Sequence, residues 1–218
     1  MIKYNLETTS IPPLSKNKPR QAIILCHGYG GDGNDISNLA INWQRFLPDA
    51  IFLCPNAPET CAVNPQGYQW FDLTQEKDEI ILEKSLIAEE ILSKFLDQVL
   101  ENLDLEPINL ALVGFSQGCM IAIQVALKKN KQINTLIGYS GKVINQKNLS
   151  DNINSKPKIF LMHGDKDIIV PTPFMLEAKE FLIKNGLKVK TKIFKDCEHR
   201  IPIEGTSLGL DFLKKNLL

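Results

Sequence analysis

Ser116 stands in Gly114-Phe115-Ser116-Gln117-Gly118, directly after the apolar run Leu110–Val113 and directly before an apolar helical period. A tight strand-to-helix turn presses backbones together, so the residues two before and two after the serine must be small. Gly114 and Gly118 meet that need. Such a turn lifts the hydroxyl to the top of a sheet, and a helix opening at Gln117 aims its free N–H groups at developing negative charge. Five letters of this kind recur by chance, and a glycine-flanked turn with a solvated serine is the plain alternative. The strand before and the helix after favour a nucleophile elbow.

A serine hydroxyl needs a base to take its proton. The chain has three histidines, His27, His163 and His199. In hydrolases with an elbow the order along the chain is serine, acid, histidine. Only His163 and His199 follow Ser116, and only His199 follows an acid at a strand end. His163 runs into Gly164 at the end of an apolar stretch and reads as a structural imidazole. The acid candidates are Asp165 and Asp167, in His163-Gly164-Asp165-Lys166-Asp167. Either could orient the His199 ring.

An oxyanion site needs a second N–H beside that of the residue after the nucleophile. Cys26-His27-Gly28-Tyr29-Gly30-Gly31-Asp32-Gly33 follows another strand-like run and can bring backbone close to a reacting carbon. The backbone N–H groups of Gln117 and Tyr29 are therefore the expected donors. The same glycines could cradle phosphate, but no Gly-Lys-Ser/Thr and no correctly spaced Gly-x-Gly-x-x-Gly accompanies them.

These segments need a scaffold that brings them to one place. Apolar runs of strand length at Ala22–His27, Ala50–Cys54, Asn109–Val113, Thr135–Tyr139, Lys158–His163 and Lys188–Phe194 each stop at Gly, Pro or polar residues. Helical periods lie among and after them at Ile81–Leu103, Gln117–Lys129, Phe174–Asn185 and Gly205–Asn216. The alternation predicts an α/β fold, a mostly parallel central sheet with helices on both faces. Ligands bind such sheets outside the carboxyl ends of the strands, where every segment above sits.

The chain of 218 residues has 25 basic and 25 acidic side chains, so no basic footprint for nucleic acid is expected. Hydrophobic residues at 44% and charged residues at 23% are ordinary globular values, which argues against disorder. No apolar run approaches the roughly 20 residues of a membrane helix, and residues 1–20 lack a secretory block. The five cysteines, Cys26, Cys54, Cys61, Cys119 and Cys197, form neither a disulfide framework nor a zinc pattern. A single domain over 1–218, cytoplasmic, with no integral membrane association and no metal, is the expectation.

Taken together, the Ser116 pentapeptide, His27-Gly28-Tyr29-Gly30, Trp70-Phe71-Asp72, His163 to Asp167 with Val170-Pro171, and His199 resemble the phospholipase/carboxylesterase family. That family includes acyl-protein thioesterases and small bacterial carboxylesterases. The resemblance runs from Ala22 to the C-terminus. It implies an α/β-hydrolase fold, and it implies Ser116, Asp167 and His199 as the triad, the second aspartate being the acid. It also implies that Tyr29, the residue after His-Gly, gives the second oxyanion N–H. Tyr29 stands where leucine is usual, and Cys119 where glycine is common.

The stretch Pro55–Gln75 shows no clear strand or helix, and loops of that length are usually functional or mobile. Its aromatic end, Trp70-Phe71, has two readings: it walls an acyl pocket, or it anchors the loop to the core. The expected activity is a serine hydrolase cleaving esters or thioesters of short-to-medium apolar acyl groups through an acyl-enzyme, without cofactor. The substrate is a small-molecule ester or thioester, with lipids and acylated proteins as further candidates. Lysophospholipase and acyl-protein thioesterase are the alternatives within that chemistry. A hydrolase-fold protein that binds a ligand without turnover is the alternative outside it.

Overall fold

The computed structural model describes residues 4–74 and 78–218. Seven strands form the main sheet: β1 (Thr8–Ile11), β2 (Gln21–Cys26), β3 (Ala50–Pro55), β6 (Leu110–Phe115), β7 (Thr135–Tyr139), β8 (Lys158–Gly164) and β9 (Val189–Phe194). Their order is β1-β3-β2-β6-β7-β8-β9. Every pair is parallel except β1 with β3. Strands β2 and β7 are buried along their whole length, which is why they read as unbroken apolar runs. The edge strand β9 is instead half-buried or exposed up to Phe194, with Lys190 and Lys192 blunting an edge that could pair with another chain.

Side chains alternate across the sheet and build two cores. Ile24, Leu112 and Leu136 face α2 (Asp78–Leu103), α3 (Gln117–Lys128) and α5 (Pro173–Lys184). Ile23, Leu25, Val113 and Ile137 face α1 (Gly33–Gln44) and α6 (Ile203–Leu217). Both faces are thus covered, as the alternation predicts. No described helix is long and apolar enough to cross a membrane.

Several elements of the described residues lie outside the expected set. The edge strand β1 is short and half-buried, so it carries little apolar signal. Helix α1 follows the glycine loop directly; Asp32 caps it by accepting the Asp35 N–H at 2.7 Å, and Ile36, Leu39, Ala40 and Trp43 form its buried stripe. A short helix, α4, spans Gln146–Asp151. The expectation that Pro55–Gln75 holds no strand is corrected by a small antiparallel ribbon, β4 (Glu59–Thr60) with β5 (Tyr68–Gln69). Gln75 itself lies outside the described residues.

Candidate active site

Strands β2, β6, β8 and β9 are parallel, so the loops that follow them emerge at one end of the sheet. Those loops carry Tyr29, Ser116, Asp167 and His199. Ser116 joins β6 to α3 with φ 53° and ψ −119°, a left-handed-side conformation that a residue with a Cβ adopts only under constraint. The constraint is backbone crowding. A Cβ on Gly114 would overlap the Gly118 carbonyl, and one on Gly118 would overlap the carbonyls of Cys26 and His27.

The Ser116 hydroxyl lies 2.9 Å from His199 Nε2. His199 Nδ1 lies 2.7 Å from Asp167 Oδ2. A carboxylate only accepts, so Nδ1 carries the proton and the Nε2 lone pair faces the serine. Asp167 Oδ1 accepts the N–H groups of Ile169 at 3.0 Å and Val170 at 2.9 Å. Burial pushes the Asp167 carboxyl up, but the hydrogen bonds from His199 and Val170 and the two nearby imidazoles outweigh it. The group is held below the usual carboxylate value.

Asp165, the other acid candidate, takes a different place. Its Oδ1 accepts the Cys197 N–H at 3.2 Å and ties β8 to the turn that presents His199. Lys166 N–H reinforces that tie by donating to the Cys197 carbonyl at 2.9 Å. The Phe115 ring packs beside the imidazole, with centroids 4.9 Å apart. His163 lies behind Asp167, enclosed in the core.

A model of the phospholipase/carboxylesterase family matches residues 13–217. The chain belongs to that family. It is 29% identical over 216 residues to acyl-protein thioesterase 1 of Saccharomyces cerevisiae, covering 91% of this chain and 93% of the relative. Esterase YpfH of Escherichia coli is 24% identical over 204 residues, covering 92% and 85%. The crystal structure of esterase PE8 superposes with a TM-score of 0.92 at 33% identity, covering 96% and 98% of the two chains. The chain is a carboxylesterase-type hydrolase with the α/β-hydrolase fold.

The glycine loop after β2 runs against the elbow: a Cβ on Gly28 would come within 3.3 Å of the Ser116 Cβ. Among the described residues no acceptor takes the N–H of Tyr29 or of Gln117, the first residue of α3. His27 holds the loop from beneath. Its Nε2 accepts the Ala57 N–H at 2.9 Å, so the proton sits on Nδ1, 2.7 Å from the Gly28 carbonyl. Burial lowers its pKa and keeps that tautomer neutral. The Tyr29 phenol, pushed up to about 12 by burial first and then by Cys61, sits against the 61–73 segment.

Trp70 and Phe71 are 1% and 0% exposed and pack in the core, which supports the anchoring alternative. Trp70 Nε1–H donates to the His27 carbonyl at 3.0 Å. The Gln117 side chain, whose role the sequence left unread, accepts the Trp70 N–H at 2.9 Å and donates to the Phe71 carbonyl at 2.6 Å. The Gln117 amide thus ties the 70–71 segment to the head of α3 by both its oxygen and its nitrogen. A cleft of about 350 Å³ opens beside His199, between Tyr29, Asp35, Ile36, Phe115 and Ile201. Among the described residues no group of three His, Cys, Asp or Glu side chains is placed to hold a metal ion.

Proposed function

We propose that this enzyme hydrolyses carboxylic esters of short-to-medium apolar acyl groups, with Ser116 as nucleophile, His199 as base and then acid, and Asp167 as the group that fixes the imidazole. The observation that carries the reading is the unbroken relay from Ser116 Oγ to His199 Nε2 at 2.9 Å and from His199 Nδ1 to Asp167 Oδ2 at 2.7 Å. Ser116 attacks the carbonyl carbon while its proton passes to Nε2. The resulting oxyanion takes the N–H groups of Tyr29 and Gln117. His199 then gives the proton to the departing alcohol, leaving an ester on Ser116. Water, deprotonated by the same nitrogen, attacks that ester and releases the acid with Ser116 restored.

The apolar side chains of Ile36, Phe115 and Ile201 in the cleft beside His199 support an apolar acyl group. Thioester cleavage is the second reading, favoured by the similarity to an acyl-protein thioesterase over 93% of that relative's length. Five buried, unpaired thiols suit a reducing compartment, and we place the enzyme in the cytoplasm on that ground. A fluorophosphonate should label the wild type on Ser116 and leave Ser116→Ala unlabelled. Ser116→Ala should lose nearly all turnover, keeping a residual of about 10³–10⁴ over water from oxyanion binding. Turnover within tenfold of the parent would remove Ser116 as nucleophile. A chain-length series of p-nitrophenyl esters, run beside acyl-CoA thioesters, separates the two substrate classes.

A further inference from the structure

His163 is the penultimate residue of β8 and has no step in the relay above. Its side chain and that of Asp167 are both fully enclosed. His163 Nε2 lies 2.6 Å from the Val170 carbonyl oxygen, and a carbonyl only accepts, so Nε2 carries the ring proton. Nδ1 is buried and has no partner among the described residues. A proton there would bury an unpaired N–H on a cation, so the ring is neutral. Burial accordingly holds its pKa below the ordinary histidine value.

The bond to Val170 matters because of what that segment does. The N–H groups of Ile169 and Val170 are the two donors that fix Asp167 Oδ1. Ile168 and Ile169 cannot anchor the segment through packing, being 87% and 66% exposed. What pins it is the buried Val170 side chain together with the His163 bond to the Val170 carbonyl. The proton-bearing Nε2 also lies 3.3 Å from Asp167 Oδ2, the oxygen that receives His199 Nδ1–H. Its positive end therefore draws on the same lone-pair density as the triad histidine.

We propose that His163 is a positioning residue for the triad acid. It clamps the 168–170 segment onto Oδ1 and sets its N–H end against Oδ2, so that Asp167 keeps both its orientation and its charge distribution. The proposal rests on Asp167 being the triad acid. It also gives a chemical reason for a histidine four residues before that aspartate, where a leucine or phenylalanine would fill the space but bond nothing. A glutamine amide can reach the position of Nε2; the shorter asparagine amide cannot.

Steady-state kinetics of the full chain on p-nitrophenyl butyrate test this, comparing wild type, His163→Gln, His163→Phe, Asp167→Asn and the His163→Phe/Asp167→Asn pair. His163→Phe should lower kcat by about 10- to 100-fold with KM nearly unchanged, as expected of a small misplacement behind the reacting groups. The ionisable groups that act on His163 are Asp167 and His199, so the acid limb of kcat/KM reports this cluster. That limb should move to higher pH, because an Asp167 with fewer donors holds the imidazolium proton more strongly. His163→Gln should recover most of both effects. On the Asp167→Asn background His163→Phe should cost little more, since the carboxylate it serves is gone.

An unmoved acid limb with a loss that glutamine does not recover is the signature of packing alone and overturns the proposal. A His163→Phe enzyme equal to wild type does the same. Should His163→Phe fail to fold, the low-field proton resonance of the His199–Asp167 bond decides. It should shift in His163→Asn and stay in place in His163→Gln, and an unshifted resonance in His163→Asn overturns the idea. A costly Asp167→Asn beside a silent His163→Phe removes only this proposal. A silent Asp167→Asn removes the triad assignment itself.

Discussion

Replacing Asp167 by asparagine puts an amide where two kinds of partner fix its orientation. Oδ1 accepts two backbone N–H groups, from Ile169 and Val170, so the amide oxygen must take that place. The NH₂ group then occupies the Oδ2 position, 2.7 Å from His199 Nδ1. Flipping the amide would set its N–H groups against two backbone donors in a closed site. The amide therefore donates to Nδ1 and forces the His199 proton onto Nε2, where it meets the Ser116 hydroxyl and cannot accept from it. Turnover should fall on the order of 10⁴-fold. At about 1.36 kcal/mol per tenfold, that is about 5.4 kcal/mol of transition-state stabilisation. Initial rates on p-nitrophenyl butyrate, with active sites counted by fluorophosphonate titration, measure it. Asp165→Asn is the control: its Oδ1 can still accept the Cys197 N–H, so its loss should stay within about tenfold. A tenfold loss or less in Asp167→Asn, or a larger loss in Asp165→Asn, refutes the tautomer argument.

Gln117→Ala keeps the backbone N–H at the head of α3 but strands the buried Trp70 N–H and Phe71 carbonyl. It should lower unfolding stability by about 1–3 kcal/mol for each group left unpaired, and urea denaturation within about 0.5 kcal/mol of wild type would refute the latch. Trp70→Ala should cost about 3–5 kcal/mol of stability and lower activity alike on acetate, butyrate and octanoate esters. A loss confined to long chains would show the ring touching substrate after all. Acid should expose Asp167, whose pKa is lowered in the folded state. Its contribution is complete above the unfolded value of about 3.9 and is lost as pH falls through the lower folded value. Wild type should therefore lose more stability between about pH 6 and pH 2.5 than Asp167→Asn does; parallel urea midpoints would contradict that.

The parts of the fold that the sequence made legible are those with a strong local period. Strand β7 falls on Thr135–Tyr139 as expected, and α3 ends one residue from its expected limit. Helix α1 is hard to read because its cap, Asp32, and first residue, Gly33, belong to a glycine-rich loop that carries no helical period. The ribbon β4–β5 was invisible since two residues a side carry no periodicity. In the site, chain order and motif context by themselves point to Ser116 and His199. Between Asp165 and Asp167 local sequence is silent, both being acids after the same strand, and the family resemblance was needed to choose. The burial of Trp70 was open for a similar reason: an aromatic pair looks the same in sequence whether its partner is an acyl chain or His27.

What sequence withholds is which loop each glycine must let pass. A Cβ on Gly118 would overlap the carbonyls of Cys26 and His27, so the elbow helix and the oxyanion loop can approach only with hydrogen at that position. A Cβ on Gly164 would overlap the Cys197 carbonyl, so the acid loop and the histidine loop meet under the same restriction. Each contact joins segments far apart in the chain: the first sets Ser116 against the 27–31 loop, and the second sets Asp167 against His199. The positions of Ser116, His199 and Asp167 thus follow from backbone packed against backbone, with Asp165 and Gln117 bonding the loops where they touch. Side chains that hold these loops by their polar tips therefore set the Ser116–His199–Asp167 geometry as much as the three residues themselves do.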